Sequence, residues 1–264
     1  MLLALVTPAW RRYGVSRLCF AQRAALRERL AGRGIDVLNI VVADDENLDI
    51  ALRHGFTALE RPNSPLGRKW NEGIALAGTL GADFVAVVGS DDWVHPDLFR
   101  TMPLDHSPEP DFEALTIGGA VTWNPDRPQA ISGREITLVD LLTGQARACR
   151  ARNKTGVIPW VLPRKALKPS GFRPVADRAE IGLDGSLVAG LCTTLSWRFH
   201  DPHPLARVDF KSGTNLNSYE RIAGAIGEGE EIDPWSALAE KYPAWLVRRA
   251  ERLSEEMRAG SHLV

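Results

Sequence analysis

The chain has 264 residues, of which 44% are hydrophobic and 25% charged, with a formal net charge of -1; this is an ordinary globular balance, without a global basic field for nucleic acid. The three cysteines, Cys19, Cys149 and Cys192, stand far apart and form no CxxC pair, which argues against a structural zinc site or a disulfide scaffold and fits a reducing cytoplasm. No apolar run approaches the roughly 20 residues that cross a bilayer, so stable membrane insertion is not expected.

Residues 1–6 are apolar but run straight into Thr7-Pro8 without a charged leader, so they read as a first strand and not as a signal peptide. Over 16–30, Leu18, Ala21, Ala25, Leu26 and Leu30 recur at helical spacing with basic residues between them. That pattern predicts an amphipathic helix, stopped by Gly32 and Gly34. A second strand over 37–43 ends at Asp44-Asp45-Glu46-Asn47. A short helix over 49–54 closes at Gly55, and a brief strand over 57–60 leads into the loop Arg61-Pro62-Asn63-Ser64-Pro65. A helix over 69–80 ends at Gly81. Residues 84–88 are apolar on both faces and rich in β-branched side chains, as suits a strand of a parallel sheet covered on both sides. That strand stops at two adjacent carboxylates, Asp91 and Asp92.

Beyond Phe99 the texture changes. Residues 102–111 read as a loop and 114–123 as a strand with an irregularity at Gly118-Gly119. Residues 124–134 read as a hairpin or loop, and 137–142 fit helix or strand equally. A strand over 153–162 and a short helix from Arg164 precede the turn Gly171-Phe172-Arg173-Pro174. Asp184 is expected at a helix N-cap with Ser186 in the first turn. A strand over 193–199 leads to His200 and His203, followed by a polar stretch over 208–217 with Lys211, Asn215 and Asn217. An amphipathic helical tail spans 234–257. No linker-like stretch separates the halves, so the expectation is one domain over 1–264. It would have a nucleotide-binding lobe (1–100), an acceptor-side lobe (101–232) and a C-terminal tail (233–264).

Strand–helix alternation with acidic or polar clusters after successive strands points to a nucleotide-binding α/β half. Neither GxGxxG nor GxxxxGK[ST] is present, so a phosphate would be neutralised by other means. Ligands of open α/β sheets sit outside the carboxyl ends of the strands. Asp91 and Asp92 lie there, and they either cap the next helix or grip a hard divalent cation that carries a phosphate.

Four segments in order carry a resemblance: Thr7-Pro8-Ala9-Trp10, Ala43-Asp44-Asp45-Glu46-Asn47-Leu48-Asp49, Leu66-Gly67-Arg68-Lys69-Trp70-Asn71-Glu72-Gly73-Ile74 and Gly89-Ser90-Asp91-Asp92-Trp93. Together they resemble the GT-A nucleotide-sugar glycosyltransferases, close to the inverting, metal-dependent family two. Gly171-Phe172 followed by Ile181-Gly182-Leu183-Asp184 is similar to that family's acceptor-side segment. The resemblance implies a mostly parallel central sheet flanked by helices and transfer of a sugar, from a UDP-sugar by preference, with manganese or magnesium. It implies that Thr7, Pro8, Trp10, Asp44, Asp45, Arg68, Lys69, Asn71 and Asp91 bind the donor, that Asp91 and Asp92 hold the metal with His200 as a further ligand, and that Asp184 is the general base. Gly89 stands where the family usually has its first aspartate, Trp70 where it has arginine, and Leu183 where a glutamate precedes the catalytic aspartate. The acceptor is left open among a saccharide, a lipid-linked precursor, a protein and a phage-type hydroxylated DNA base. Two other readings remain: a nucleotidyltransferase, which would want a glycine-rich loop where this chain has no glycine before Gly14, and a non-catalytic nucleotide-sugar-binding protein.

Overall fold

The computed structural model describes residues 1–100, 127–150, 157–180, 182–191, 195–213 and 229–260, with short pieces at 116–117, 120–121, 219 and 223. The first hundred residues follow the sequence pattern closely. Strands β1 (Leu2–Pro8), β2 (Asp36–Ala43), β3 (Thr57–Glu60) and β4 (Phe84–Val87) alternate with helices α1 (Tyr13–Ala31), α2 (Asn47–Arg53) and α3 (Leu66–Thr79). β1 pairs in parallel with both β2 and β4, and β2 with β3. The apolar run at 84–88 is buried on both faces because helices cover both sides of this sheet.

The sheet does not end at β4. β8 (Gln129–Gly133), β11 (Val157–Pro163) and β12 (Ser196–Phe199) extend it to the order β12-β8-β11-β4-β1-β2-β3. β11 runs antiparallel to β4 and β8. Residues 129–133, read from sequence as hairpin or loop, are thus a strand inside the main sheet. Their short, mixed composition carries no alternation to mark them, and only the tertiary partners β11 and β12 make them a strand. The expected strand over 114–123 appears as two short strands, β6 (Thr116–Ile117) and β7 (Ala120–Val121), among residues that mostly lie outside those described.

A second sheet has the order β14-β10-β9-β13-β5, built from β5 (Asp92–Val94), β9 (Glu135–Asp140), β10 (Ala146–Arg150), β13 (Arg207–Lys211) and β14 (Gly229–Ile232). It makes residues 137–140 strand, with Leu141 and Leu142 in the turn that follows. The tail is two helices, Pro234–Lys241 and Ala244–Arg258. Tyr242 and Pro243 break it, since proline cannot continue a helix. The two helices pack with α1 and the second sheet around Trp93, Phe210, Leu238, Tyr242 and Leu246. Among the described residues no helix is long and apolar enough to cross a membrane.

α3 lies on β1 and β2 through a glycine. A Cβ on Gly73 would collide with Val6 Cγ1 and come within 2.9 Å of Val42 Cγ2. Both valines are β-branched and fully buried, so they cannot turn aside. Gly73→Ala should therefore destabilise the chain by about 1–3 kcal/mol through overpacking; a urea or thermal denaturation midpoint equal to that of the wild type would contradict this packing.

Candidate active site

The carboxyl end of β4 is a tight turn, Gly89-Ser90-Asp91, and β5 starts directly at Asp92. A Cβ on Gly89 would collide with Asp92 Oδ2 and stand 2.8 Å from Asp91 Oδ1. Both carboxylates fold back over this residue, and the Gly89 N–H donates to Asp92 Oδ2 at 2.8 Å. The glycine at this position therefore leaves room for the arrangement of the two aspartates that follow. A third carboxylate joins them from the far end of the chain: Asp209 of β13 is the register partner of Asp92. One oxygen from each of Asp91, Asp92 and Asp209 lies within 4.8 Å of the others.

Three cations surround this group. Arg12 Nη1 reaches Asp91 Oδ2 at 2.6 Å, and its Nη2 donates to Ser90 Oγ at 3.0 Å. Lys211 Nζ pairs with Asp209 Oδ2 at 2.6 Å and stands 4.0 Å from Asp91 Oδ2. Arg23, fully buried in α1, donates to Thr7 Oγ1 and to the Gly89 carbonyl, and reaches the Asp92 carbonyl at 3.5 Å. Arg12 and its neighbour Arg11 both hold φ at 52°, a left-handed conformation that costs a non-glycine residue of order 1 kcal/mol or more. The β1–α1 connection keeps this strain while it aims Arg12 at Asp91.

The ionisation follows the distances. Burial pushes the Asp91 carboxyl up, but Arg12 and then Lys211 outweigh it and hold the group below the usual carboxylate range. Burial raises Asp92 well above that range, and Asp209 and Asp91 push it the same way. Asp209 is raised too, by burial first, with Lys211 opposing. Asp209 Oδ1 is buried without a hydrogen-bond partner among the described residues. An all-oxygen donor set with an unsatisfied buried carboxylate oxygen fits a hard divalent ion such as magnesium or manganese.

The other residues singled out from sequence divide into two sets. Around the β1 loop, Trp10 is 40% exposed with the Arg11 guanidinium 4.3 Å from its ring centre. Asp45 accepts from the Arg11 N–H at 2.6 Å and from Asn47, while Asp44 is exposed and accepts from the Asn63 N–H at 3.0 Å. Thr7 is buried as the acceptor for Arg23, and Pro8 ends β1.

At the start of α3 the second set turns inward. Lys69 is buried, with its Nζ on the Ala9 carbonyl at 2.7 Å and on Asn63 Oδ1 at 3.0 Å. Burial lowers its pKa to about 8. Asn71, fully buried, donates to the Val175 carbonyl (2.6 Å) and Asp177 Oδ1 (2.7 Å) and accepts from the Val175 N–H (3.0 Å). The backbone N–H groups of Leu66, Gly67 and Arg68 are taken by Glu180, Ala179 and Asp177. The first turn of α3 thus holds the 175–180 segment, and Arg68 lies outside, paired with Glu72 at 3.2 Å.

Asp184 is the second residue of the helix Leu183–Leu191, not its cap; its side chain lies outside the described residues. The carboxylate group contains no histidine. His200 Nε2 instead lies 3.1 Å from the Asp97 carbonyl, because the His200 N–H continues the ladder to Ser132 after β12. Asn215 and Asn217 lie outside the described residues. Sequence reading missed Arg12, Arg23 and Asp209 as members of the site. For Arg23 there was a signal: it falls on the buried stripe of Cys19, Leu26 and Leu30, where a charge needs a reason.

No family model matches the chain, and no curated protein matches its sequence. Among solved structures, residues 1–349 of TarS from S. aureus match with a TM-score of 0.52 at 13% identity, covering 80% of this chain and 60% of that one. The same TarS fragment in complex with UDP matches with a TM-score of 0.52 at 10% identity, covering 98% and 70%. Its complex with UDP-GlcNAc matches with a TM-score of 0.50 at 10% identity, covering 81% and 60%. In the first of these matches the chain spans less than two thirds of the TarS fragment. The chain thus shares the GT-A-like fold that the motifs implied.

The raised pKa of Asp92 carries a sign that can be tested. Its stabilising contribution is full below the ordinary value of 3.8 and is lost as pH rises through the higher folded value. In the metal-free protein Asp92→Asn should therefore raise Tm relative to wild type near pH 7.5, with the gain fading toward pH 3.5. A variant less stable than wild type at neutral pH without metal would show that Asp92 is not held against its charge.

Proposed function

We propose that this chain transfers a sugar from a nucleoside-diphosphate donor to an acceptor hydroxyl, with inversion and with manganese or magnesium held by Asp91, Asp92 and Asp209. The observation that carries the reading is the gathering of three carboxylates and two cations, Arg12 and Lys211, at the carboxyl end of β4, beside the Trp10 loop. A donor of this kind leaves as a diphosphate, and a divalent ion bound there supplies charge that stabilises that leaving group.

The chain's own residues supply the rest. Arg12 and Lys211 already sit on the carboxylates, so an arriving diphosphate gains two cations that need no long movement. The half-exposed Trp10 face offers a stacking surface for the base, and Arg11 stiffens it. Asp44 and Asp45 offer acceptors for base and ribose donors. Lys69, through the Ala9 carbonyl, fixes the loop that presents Trp10. Asn71 acts at a distance: its clamp on Val175 and Asp177 sets where the chain enters the helix that carries Asp184. Asp184 is the general base, taking the proton of the acceptor hydroxyl as that oxygen attacks C1 opposite the diphosphate. A uridine donor draws support from the TarS fragment of similar fold, which was solved with UDP and with UDP-GlcNAc. The acceptor class stays at a hydroxyl, with a saccharide first and a hydroxylated DNA base second.

A thermal-shift screen of nucleotide sugars with and without manganese names the donor, and following UDP release then tests turnover. Asp184→Asn should cut transfer by about 100- to 10,000-fold while the donor Kd stays within about twofold, and loss of donor binding would reject its role as base. Asp92→Asn should abolish metal-dependent donor turnover. Pyrophosphate release from a nucleoside triphosphate and a sugar phosphate would identify a nucleotidyltransferase instead, and binding without any turnover a binding protein.

A further inference from the structure

Three residues outside the carboxylate group gather at the other end of β5. His95 follows that strand, Asp97 lies in the single helical turn Pro96–Phe99, and His203 precedes the turn Pro204–Ala206. His203 Nε2 is 3.3 Å from His95 Nδ1, Asp97 Oδ2 is 3.3 Å from the same nitrogen, and His203 Nε2 is 3.7 Å from Asp97 Oδ2. No member is shared with the group of Asp91, Asp92 and Asp209. β5 separates the two by about 10 Å at the rise of an extended strand.

The hydrogen bonds decide which atoms carry lone pairs. His95 Nε2 faces the Lys241 carbonyl at 3.3 Å. A carbonyl only accepts, so that nitrogen carries the proton and Nδ1 is the bare one. The Asp97 N–H donates to the same Nδ1 at 3.2 Å, which requires the same tautomer. Arg33 occupies the other carboxylate oxygen, Asp97 Oδ1, at 3.2 Å. What remains is a pair of acceptors, Nδ1 of His95 and Oδ2 of Asp97, facing each other at 3.3 Å with a single proton on His203 Nε2 to serve both. His203 Nδ1 is buried without a hydrogen-bond partner among the described residues.

From this geometry we infer that His95, Asp97 and His203 form a second metal site, for a zinc-type divalent ion. A point in the plane of the three ligand atoms, equidistant from them, lies about 2.0 Å from each given their separations, which is the Zn–N and Zn–O bond length. A small shift out of that plane opens a fourth position for water. Two imidazoles and a carboxylate suit zinc, whereas the all-oxygen group at the other end of β5 suits magnesium or manganese. The Lys241 carbonyl on His95 and Arg33 on Asp97 are the outer partners that orient such ligands. Binding replaces the two contacts to His95 Nδ1 with one ion and fastens the last residue of helix Pro234–Lys241 to the sheet through His95. The site is structural, and it is independent of the transfer chemistry proposed above.

The test titrates chelator-treated full-length protein with cobalt, read by its ligand-field absorption, and with zinc, read by bound metal per chain and by Tm. The expected result is one equivalent of zinc, a cobalt spectrum of a nitrogen–oxygen site, and a Tm rise of about 5 °C at saturating zinc. His203→Gln, which keeps the volume, should lose that equivalent, and Asp92→Asn should keep it. A wild-type protein with no cobalt band and no zinc shift overturns the site and leaves a hydrogen-bonded histidine pair. So does zinc that survives His203→Gln, or zinc that disappears in Asp92→Asn.

Discussion

The structure turns on the mutual neutralisation of three carboxylates by three cations at the carboxyl end of β4. At an effective dielectric of about 20, a unit charge pair at 4 Å is worth about 4 kcal/mol, comparable with the cost of stripping water from either partner. No single pair here is decisive, and the arrangement holds because each cation serves more than one group. Arg12 bonds Asp91 and Ser90, Lys211 reaches Asp209 and Asp91, and Arg23 ties Thr7 to the carbonyls of the β4–β5 turn. Among the described residues Asp92 is left as the carboxylate without a direct cation, and its charge, like that of Asp209, is one the protein resists.

The two sheets give this cluster its form. The main sheet delivers Asp91 at the end of a buried parallel strand; the second sheet takes the very next residue, Asp92, as the first of β5 and brings Asp209 opposite it. The turn between them has space only for glycine at position 89. On the far side of the cluster, α1 supplies Arg12 just before its first turn and Arg23 from its buried face, so one helix both covers the sheet and fills the charge requirement. The strained φ of Arg11 and Arg12 fits a connection shaped for the position of one guanidinium rather than for its own backbone.

Much of the first hundred residues could be read in advance, because their signals are local. Apolar runs of strand length, glycine stops and acidic strand ends fall within windows of a few residues, and each element up to β4 lies within a few residues of its expectation, whereas β5 and the turn Pro96–Phe99 were not anticipated. The later elements are different. β8, β13 and β14 are short and of mixed polarity, and they become strands through partners distant in sequence. The same distinction holds at the site. Asp91 and Asp92 announced themselves at the end of a strand. Asp209 and Lys211 sat in a stretch that reads only as polar, although Arg207–Lys211 is buried throughout. Arg23 was hidden by the assumption that a basic residue on an amphipathic helix belongs to its wet face. Asn71 showed its helix but not its purpose, since Val175 and Asp177, the groups it holds, lie far along the chain.

The pairing of β5 with β13 has a bearing on biosynthesis. Asp209 and Lys211 leave the ribosome more than a hundred residues after Asp91 and Asp92, so a nascent polypeptide that stops short of them has Asp91 and Asp92 without the strand that completes their surroundings. Such a fragment can form the early parallel strands from local contacts, yet it cannot gather the three carboxylates. Closure of the three-carboxylate group is thereby deferred until β13 has been made, and a product terminated before Asp209 lacks it.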